Sequence, residues 1–546
     1  MLYKQNFKGD KPVARSKEQN YLHGAAILTA GVVIMKILGF IYKVPLGNMI
    51  GDDGYGLFLS AYNVYNVFLT LATAGLPVAL SRMISEAHTQ GRHLQARRTF
   101  SVAWWTFFAL GAVSTLVMLL FPGWLAGDVL NNPDTEASIV ALAPAVLLVC
   151  LTSAYRGFCQ GYENMIPTTV GQVLEVLVKV IVGLILAWFL IRAGYNRSIS
   201  AAGAVFGVTA GSLAVLIYMI IVKKRNYKPE VVSEPDVPDS SREIFKNLVK
   251  IGVPIALGAS VLSVINVLDS GLCMARLQKA AGYTYQEAKV LYGVYGKAQT
   301  LYNLPAAFIT PLTISIVPAI AAQIVNKNNK MASKISEDSL RISVAVAMPM
   351  AVGLAVLAEP IMQVIYPTAN EAGGTLLCLL GIASFPVCFA LMSNAVLQAS
   401  GNEKYPVYSI ITGGIVKICV NWVLVGMGSI NIYGAPIGTL CCYITMCVMN
   451  LIFMFRKLEP NPKLSNIFVR PVLASLIMGV VAFAVYFGCM LFLPASRIGM
   501  LLGMGVSIAL AVIVYMIAVV KLRAITAEDM KLIPKGEKIA GLLHMT

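Results

Sequence analysis

Apolar runs of roughly 20 residues, long enough to cross a hydrocarbon core about 30 Å thick, recur along the whole chain between short polar breaks. Their spacing predicts fourteen transmembrane helices, near 24–46, 55–84, 97–121, 136–160, 166–192, 198–223, 244–274, 289–322, 336–358, 371–400, 405–426, 433–456, 466–492 and 497–521. The expected fold class is an all-α integral membrane protein, with no sizeable soluble domain left over. Residues 1–23 are polar and basic, with Lys4, Lys8, Lys11, Arg15 and Lys17, and the apolar run behind them is longer than the core of a cleaved signal peptide. This segment is expected to stay attached.

The polar breaks differ in charge. Even-numbered connections carry Arg82, Arg92, Arg97 and Arg98, then Lys223, Lys224 and Arg225, then Lys327, Lys330 and Lys334, then Arg456, Lys457 and Lys463. Such loops stay on the cytoplasmic side. Odd-numbered connections are poorer in Lys and Arg, and two are acidic (Asp52 and Asp53, Asp128 and Asp134), with Arg192, Arg197, Arg276 and Lys279 as exceptions. This pattern places a multi-pass protein in the cell membrane with both termini cytoplasmic, including a tail at 522–546.

The most polar connection contains Pro229, Pro235 and Pro238 among acidic residues and serines, and reads as a cytoplasmic linker at 224–243. It divides twelve helices into an N-lobe at 24–223 and a C-lobe at 244–456. The halves resemble each other. Tyr55-Gly56, with Tyr65-Asn66 further on, matches Tyr292-Gly293 with Tyr302-Asn303 at an offset of 292 − 55 = 237. Gln160, Asn164 and Lys179 match Gln398, Asn402 and Lys417 at an offset of 398 − 160 = 238. Six helices per repeat is an even number, so both halves enter from the same side, related by a pseudo-two-fold axis along the membrane normal, as in transporters. The pair at 466–521 lies outside the repeat.

Composition sharpens this picture. Of 546 residues, 58% are hydrophobic and only 12% charged, against roughly a quarter charged in soluble proteins. The formal net charge of +16 sits mainly in loops, which reads as membrane topology and not as a nucleic-acid surface. The ten cysteines are scattered through apolar segments without the spacing of a zinc site, so no metal or other cofactor is expected. No phosphate loop, HExxH or GxSxG motif occurs, and His88, His93 and His544 lie in polar ends or loops, with His23 at the start of the first helix. A gradient-driven carrier is favoured over an enzyme or an ATP-driven pump.

Ionisable groups at membrane depth are costly and mark candidate sites. At about 1.5 Å rise per residue, Lys36, Lys179 and Lys417 lie about 18 Å from the cytoplasmic ends of their helices, near mid-depth. Lys43 and Lys297 fall in the outer half, Arg156 near the cytoplasmic end of the fourth helix, and Asp269 in the seventh. Each has a plainer reading. Glu175 and Lys179, spaced i, i+4, could neutralise each other; Lys43 could snorkel outward; Arg156 could anchor at the inner surface; Asp269 could be a counter-ion for Lys297 or Lys43. Lys179 and Lys417 occupy matching positions, and facing lysines in a water-filled cavity would attract a phosphate or pyrophosphate. Prolines at Pro77, Pro254, Pro305, Pro311, Pro318 and Pro386 are candidate bends.

These residues also carry a resemblance. Lys36-Ile37-Leu38-Gly39-Phe40, Gly54-Tyr55-Gly56-Leu57-Phe58, Gly75-Leu76-Pro77 with Ser81-Arg82, and Arg156-Gly157 followed by Gln160-Gly161 resemble the multidrug/oligosaccharidyl-lipid/polysaccharide exporter superfamily. Within it the chain looks most like the polysaccharide-biosynthesis branch that holds MurJ-type lipid II flippases and stage V sporulation protein B. The resemblance implies a flippase carrying undecaprenyl-pyrophosphate-linked disaccharide-pentapeptide from the inner to the outer leaflet. It further implies a basic central cavity, with a basic residue at Lys36, and a groove for the lipid tail formed by the last two helices. The branch's better-known members have Arg where this chain has Lys36, and a basic-acidic pair where it has Tyr42-Lys43. The implied partners are the lipid-linked anionic glycan, membrane lipids and cell-wall synthesis proteins. Rival expectations are a flippase for another prenyl-linked or spore-specific glycan, a cation-coupled multidrug exporter, and a non-transporting cell-wall scaffold.

Overall fold

The computed structural model describes residues 13–226, 236–457, 464–494 and 496–522; residues 1–12 of the expected basic N-terminal segment, 227–235 of the linker and 523–546 of the C-terminal tail lie outside these. The long helices are α1 (Val13–Thr73), α2 (Leu76–Thr89), α3 (His93–Leu120), α4 (Glu136–Gly161), α5 (Ile166–Arg192), α6 (Arg197–Asn226), α7 (Ser241–Lys279) and α8 (Tyr285–Tyr302). They continue as α9 (Leu304–Val325), α10 (Asn329–Val356), α11 (Ala372–Ala399), α12 (Lys404–Leu424), α13 (Gly434–Lys457), α14 (Leu464–Met490) and α15 (Arg497–Lys521). No strand occurs among the described residues.

Thirteen helical stretches among the described residues are long and apolar enough to cross a membrane. The first, Ile34–Thr89, is 56 residues long, about twice what one crossing needs at about 1.5 Å per residue. Gly51 breaks it with φ 77, a left-handed conformation that suits glycine. Divided at Gly51, this stretch is long enough for two crossings, so the described residues hold helix enough for fourteen passes. Two passes expected as continuous helices are broken: the second between α1 and α2 at Ala74-Gly75, and the eighth at Asn303 between α8 and α9. In both cases a proline in the next first turn, Pro77 or Pro305, lacks the N–H that would extend the preceding hydrogen-bond ladder.

The repeat is visible in reciprocal contacts where the second and eighth passes cross. A Cβ on Gly56 would stand 2.8 Å from the Lys289 carbonyl oxygen, and one on Gly293 would stand 1.7 Å from that of Asp52. Gly56 and Gly293 are repeat mates, as are Asp52 and Lys289. The hydroxyls repeat the pattern: Tyr55 bonds Thr300 at 2.7 Å, and its mate Tyr292 accepts from Asn63, the mate of Thr300, at 3.4 Å. If i meets j while the mate of i meets the mate of j, a two-fold axis runs between them.

Two apolar clusters mark the lobes, one gathered around Tyr42, Phe58, Phe107 and Val146, the other around Tyr292, Leu301, Leu376 and Leu380. Helix α7 is shared between them: Leu248 and Val267 belong to the first cluster, Cys273, Met274 and Leu277 to the second. Three of the four basic residues that broke the charge pattern of the odd connections, all but Lys279, are docked on backbone or rings. Arg276 donates to the Trp422 carbonyl at 2.9 Å, Arg197 to that of Met49 at 3.3 Å, and Arg192 lies 4.7 Å from the Trp188 ring centroid. Helices α14 and α15 join each other through Ser507, which donates to the Ala482 carbonyl at 2.6 Å, and Gly479 of α14 meets Val352 of α10.

On the opposite face from Gly51, the end of the linker is clasped to the turn between α2 and α3. Arg92 donates to Asp236 at 3.4 Å and to the Val237 carbonyl at 2.9 Å, while Gln95 exchanges bonds with Asp239 at 2.8 and 2.7 Å.

Candidate functional site

The expected anion site begins with how α5 is held. In α6, Gly203, Gly207 and Gly211 recur every fourth residue, so one face has no side chains. A Cβ on Gly207 would stand 2.6 Å from the Lys179 carbonyl oxygen, and one on Gly211 2.5 Å from that of Glu175. Small residues at this spacing let membrane helices approach backbone to backbone. The register of Glu175 and Lys179 is thereby fixed against α6.

These two side chains do not pair with each other. The Arg156 guanidinium of α4 takes Glu175 at 2.7 Å, and Ser212 of α6 donates to the other carboxylate oxygen at 3.3 Å. Lys179 instead donates to the Tyr62 hydroxyl at 3.1 Å and lies 4.7 Å from the Tyr62 ring centroid and 5.2 Å from that of Tyr42. Tyr42 is fully buried, its hydroxyl anchored on the Ala204 carbonyl at 2.9 Å. Aromatic faces attract an ammonium without cancelling its charge.

Lys43 is half-buried on the same helix as Lys36, two turns further on, and the like charges that act on it are those of Lys179 and Lys36. Lys36 is exposed. None of the three lysines forms an ion pair among the described residues. The N-lobe thus holds three cations of α1 and α5 that no carboxylate pairs with among the described residues, one of them, Lys179, set against two tyrosines.

The matching lysine of the C-lobe is in another state. Lys417 of α12 is buried and pairs with Asp269 of α7 at 2.8 Å. The other Asp269 oxygen accepts from Asn421, one turn beyond Lys417, and faces the Cys273 sulfur at 3.8 Å. Asp269 is therefore the counter-ion of Lys417, and of neither Lys43 nor Lys297. Lys297, with 0% exposure, is paired with Asp52 at 2.5 Å, and Asp52 also accepts from the Asn370 backbone N–H at 3.1 Å. Of the seven candidate residues, then, Lys36, Lys43 and Lys179 come together unpaired, while Arg156, Lys297, Lys417 and Asp269 are each held in an ion pair.

Sequence reasoning passed over the groups that join the lobes near Gly51. Lys289 of α8 pairs with Asp134 at 2.7 Å, and Tyr285 donates to Asn132 at 2.7 Å. In the sequence Lys289 reads as the start of a helix and Asp134 as a loop acid. The signal was available in the repeat, because Lys289 is the mate of Asp52 and each meets the opposite lobe. Tyr42 and Tyr62 had no such marker, since a tyrosine on a transmembrane helix reads as packing.

Fourteen helical passes, an internal two-fold and unpaired cations among the helices define a membrane transporter of the two-lobed exporter class, and not an enzyme. Residues 21–325 match the family of polysaccharide biosynthesis proteins, and the chain belongs to that family. It is 26% identical over 526 residues to stage V sporulation protein B of Bacillus subtilis strain 168, covering 95% of this chain and 98% of that one. It is 25% identical over 455 residues to the lipid II flippase MurJ of the same organism, covering 80% and 82%. Among solved structures, a lipid II flippase MurJ in an inward closed conformation superposes with a TM-score of 0.66 at 16% identity over 90% of this chain and 98% of that one. A multidrug resistance MATE family transporter of the MOP superfamily in an inward-facing conformation superposes with a TM-score of 0.64 at 15% identity, over 79% of this chain and 98% of that one. At those identities the structures speak for the fold.

Proposed function

We propose that this chain is a flippase for a lipid-linked glycan, carrying an undecaprenyl-pyrophosphate-linked peptidoglycan precursor, lipid II, from the inner to the outer leaflet. The observation that carries this reading is the group of unneutralised lysines, Lys36, Lys43 and Lys179. A cation-coupled drug exporter would call for unpaired carboxylates at depth, and Glu175 and Asp269 are both taken. In this reading the three lysines hold the pyrophosphate as point charges while the prenyl tail stays in lipid, along the groove assigned to the helices at 466–521. The lobes at 24–223 and 244–456 rock about the site, with both termini cytoplasmic.

In this reading the Gly56–Gly293 crossing and the Lys297–Asp52 and Lys289–Asp134 pairs close the outer side, and Lys297 serves that closure and makes no direct substrate contact. The Lys417–Asp269 and Arg156–Glu175 pairs brace their lobes. A basic site that returns empty carries charge across the field, and membrane potential contributes about 2.3 kcal/mol per charge per 100 mV to such a step.

The test is complementation: deplete the resident lipid II flippase of a bacterial host, express this chain, and score growth with surface-exposed lipid II. Restored growth that is lost on Lys36→Gln or Lys179→Gln supports the assignment. Failure despite membrane insertion supports the second reading, a flippase for a spore-specific or other prenyl-linked glycan. That reading is favoured by the match to stage V sporulation protein B, which spans more of this chain than the match to MurJ.

A further inference from the structure

The proposed site depends on Lys179 being free, yet Glu175 lies one helical turn before it on α5, the spacing at which a carboxylate and an ammonium ordinarily pair. We infer that Arg156 is a positioning residue of the anion site: by holding Glu175 it keeps the Lys179 charge available to the pyrophosphate. This rests on the functional reading above and adds a residue that acts without touching the substrate.

Both Glu175 oxygens are occupied, one by Arg156 at 2.7 Å and one by Ser212 at 3.3 Å. The partners come from α4 and α6, so the carboxylate is held from two neighbouring helices. Side-chain exposure is 12% for Arg156 and 19% for Glu175, so water screens the pair weakly. Lys179 is left with the Tyr62 hydroxyl and two rings, which orient it and leave its charge intact. With Arg156 gone, the nearest cation for Glu175 on its own helix is Lys179. One internal ion pair would replace another, and the anion would lose its strongest attractor.

The rival is that Arg156 contacts the anion itself, since its Nε is buried without a hydrogen-bond partner. Single and double variants separate the two. Full-length protein in detergent at low salt is titrated with inorganic pyrophosphate by calorimetry. Lys179→Gln is expected to weaken binding roughly tenfold, the loss of one charge-assisted contact, and Arg156→Gln by about three- to tenfold. The double variant Arg156→Met with Glu175→Met, which leaves neither charge behind, is expected to bind within about twofold of the parent. Loss of binding in that double variant overturns the inference in favour of direct contact. Unchanged binding in a folded Arg156→Gln protein also overturns it. If Arg156→Gln does not fold, the double variant alone decides. Unchanged binding in Lys179→Gln counts instead against the functional reading, so the two failures are distinguishable.

Discussion

Lys179 and Lys417 stand 417 − 179 = 238 residues apart, at matching places in two halves of one fold, and they have opposite electrostatic fates. Lys179 rests on tyrosines, while its neighbouring carboxylate is drawn away by Arg156. Lys417 is locked to Asp269, and Asn421 caps the second oxygen of that acid. The mates explain the divergence. Lys36 corresponds to Cys273 and Asp269 to Val32, both at an offset of 237, so the first half holds extra cations where the second holds an acid. The two halves share the crossing glycines and their backbone contacts but differ in charge, with unpaired cations in one lobe and a neutralised pair at the matching place in the other.

The comparison is broken most severely at the C-lobe pair. Lys417→Met leaves Asp269 buried and unpaired and should cost about 3–5 kcal/mol of stability, as removal of one partner of a buried pair does. Lys417→Met with Asp269→Leu should recover most of that loss and retain transport, read as surface-exposed lipid II at equal protein levels. A double variant that is folded but inactive would show that Lys417 does more than brace its lobe. The same substitution in the N-lobe should behave oppositely: Lys179→Met should cost little stability, because no carboxylate is left behind, and should abolish most transport.

A second test uses symmetry itself. Gly293→Ala forces a methyl to 1.7 Å from the Asp52 carbonyl oxygen, and Gly56→Ala forces one to 2.8 Å from that of Lys289. Overpacking of this kind costs about 1–3 kcal/mol, charged here to the outward-closed state. Both variants should shift the population toward an open outer side, Gly293→Ala more than Gly56→Ala. The measurement is labelling of a cysteine placed at Thr300 by a membrane-impermeant reagent, in a background without the native cysteines. Equal labelling in parent and variants would mean that this crossing is not what closes the outer side.

Much of the architecture was legible in the chain because it depends on local pattern. Bilayer thickness sets the length of each apolar run, so the fourteen passes follow from counting, and like-sided lobes follow from an even number of helices. Helix breaks were less legible: Pro77 and Pro305 were visible, but which of many prolines would end a helix depends on packing. Partner choice was legible least. The i, i+4 rule points Glu175 at Lys179, yet Arg156 and Ser212 outcompete it from other helices, and Lys297 finds Asp52 across 245 residues. Ion pairs between helices are decided by crossing geometry, which periodicity does not encode. The internal offset is the one sequence signal that reaches across the lobes, and it identified Lys417 and would have identified Lys289.

The smallest expected effect concerns the linker clasp, a charged contact on the side away from Gly51. Burial by itself would raise the Asp236 pKa, but the backbone N–H groups of Gln95 and Leu94 and the Arg92 guanidinium outweigh it and hold the carboxyl below its ordinary value of 3.8. A lowered folded pKa means that the stabilisation is complete above the ordinary value and is lost as pH falls through the folded one. At neutral pH the clasp is intact, and Arg92→Ala should cost less than about 1 kcal/mol, the usual worth of a partly exposed pair. Hydrogen exchange at the Gln95 amide reads it directly. Protection should be constant from neutral pH down to about 4 and then fall, whereas Asp236→Asn should be poorly protected throughout and lose that pH step. A step that persists in Asp236→Asn would overturn the assignment of the clasp's pH response to Asp236.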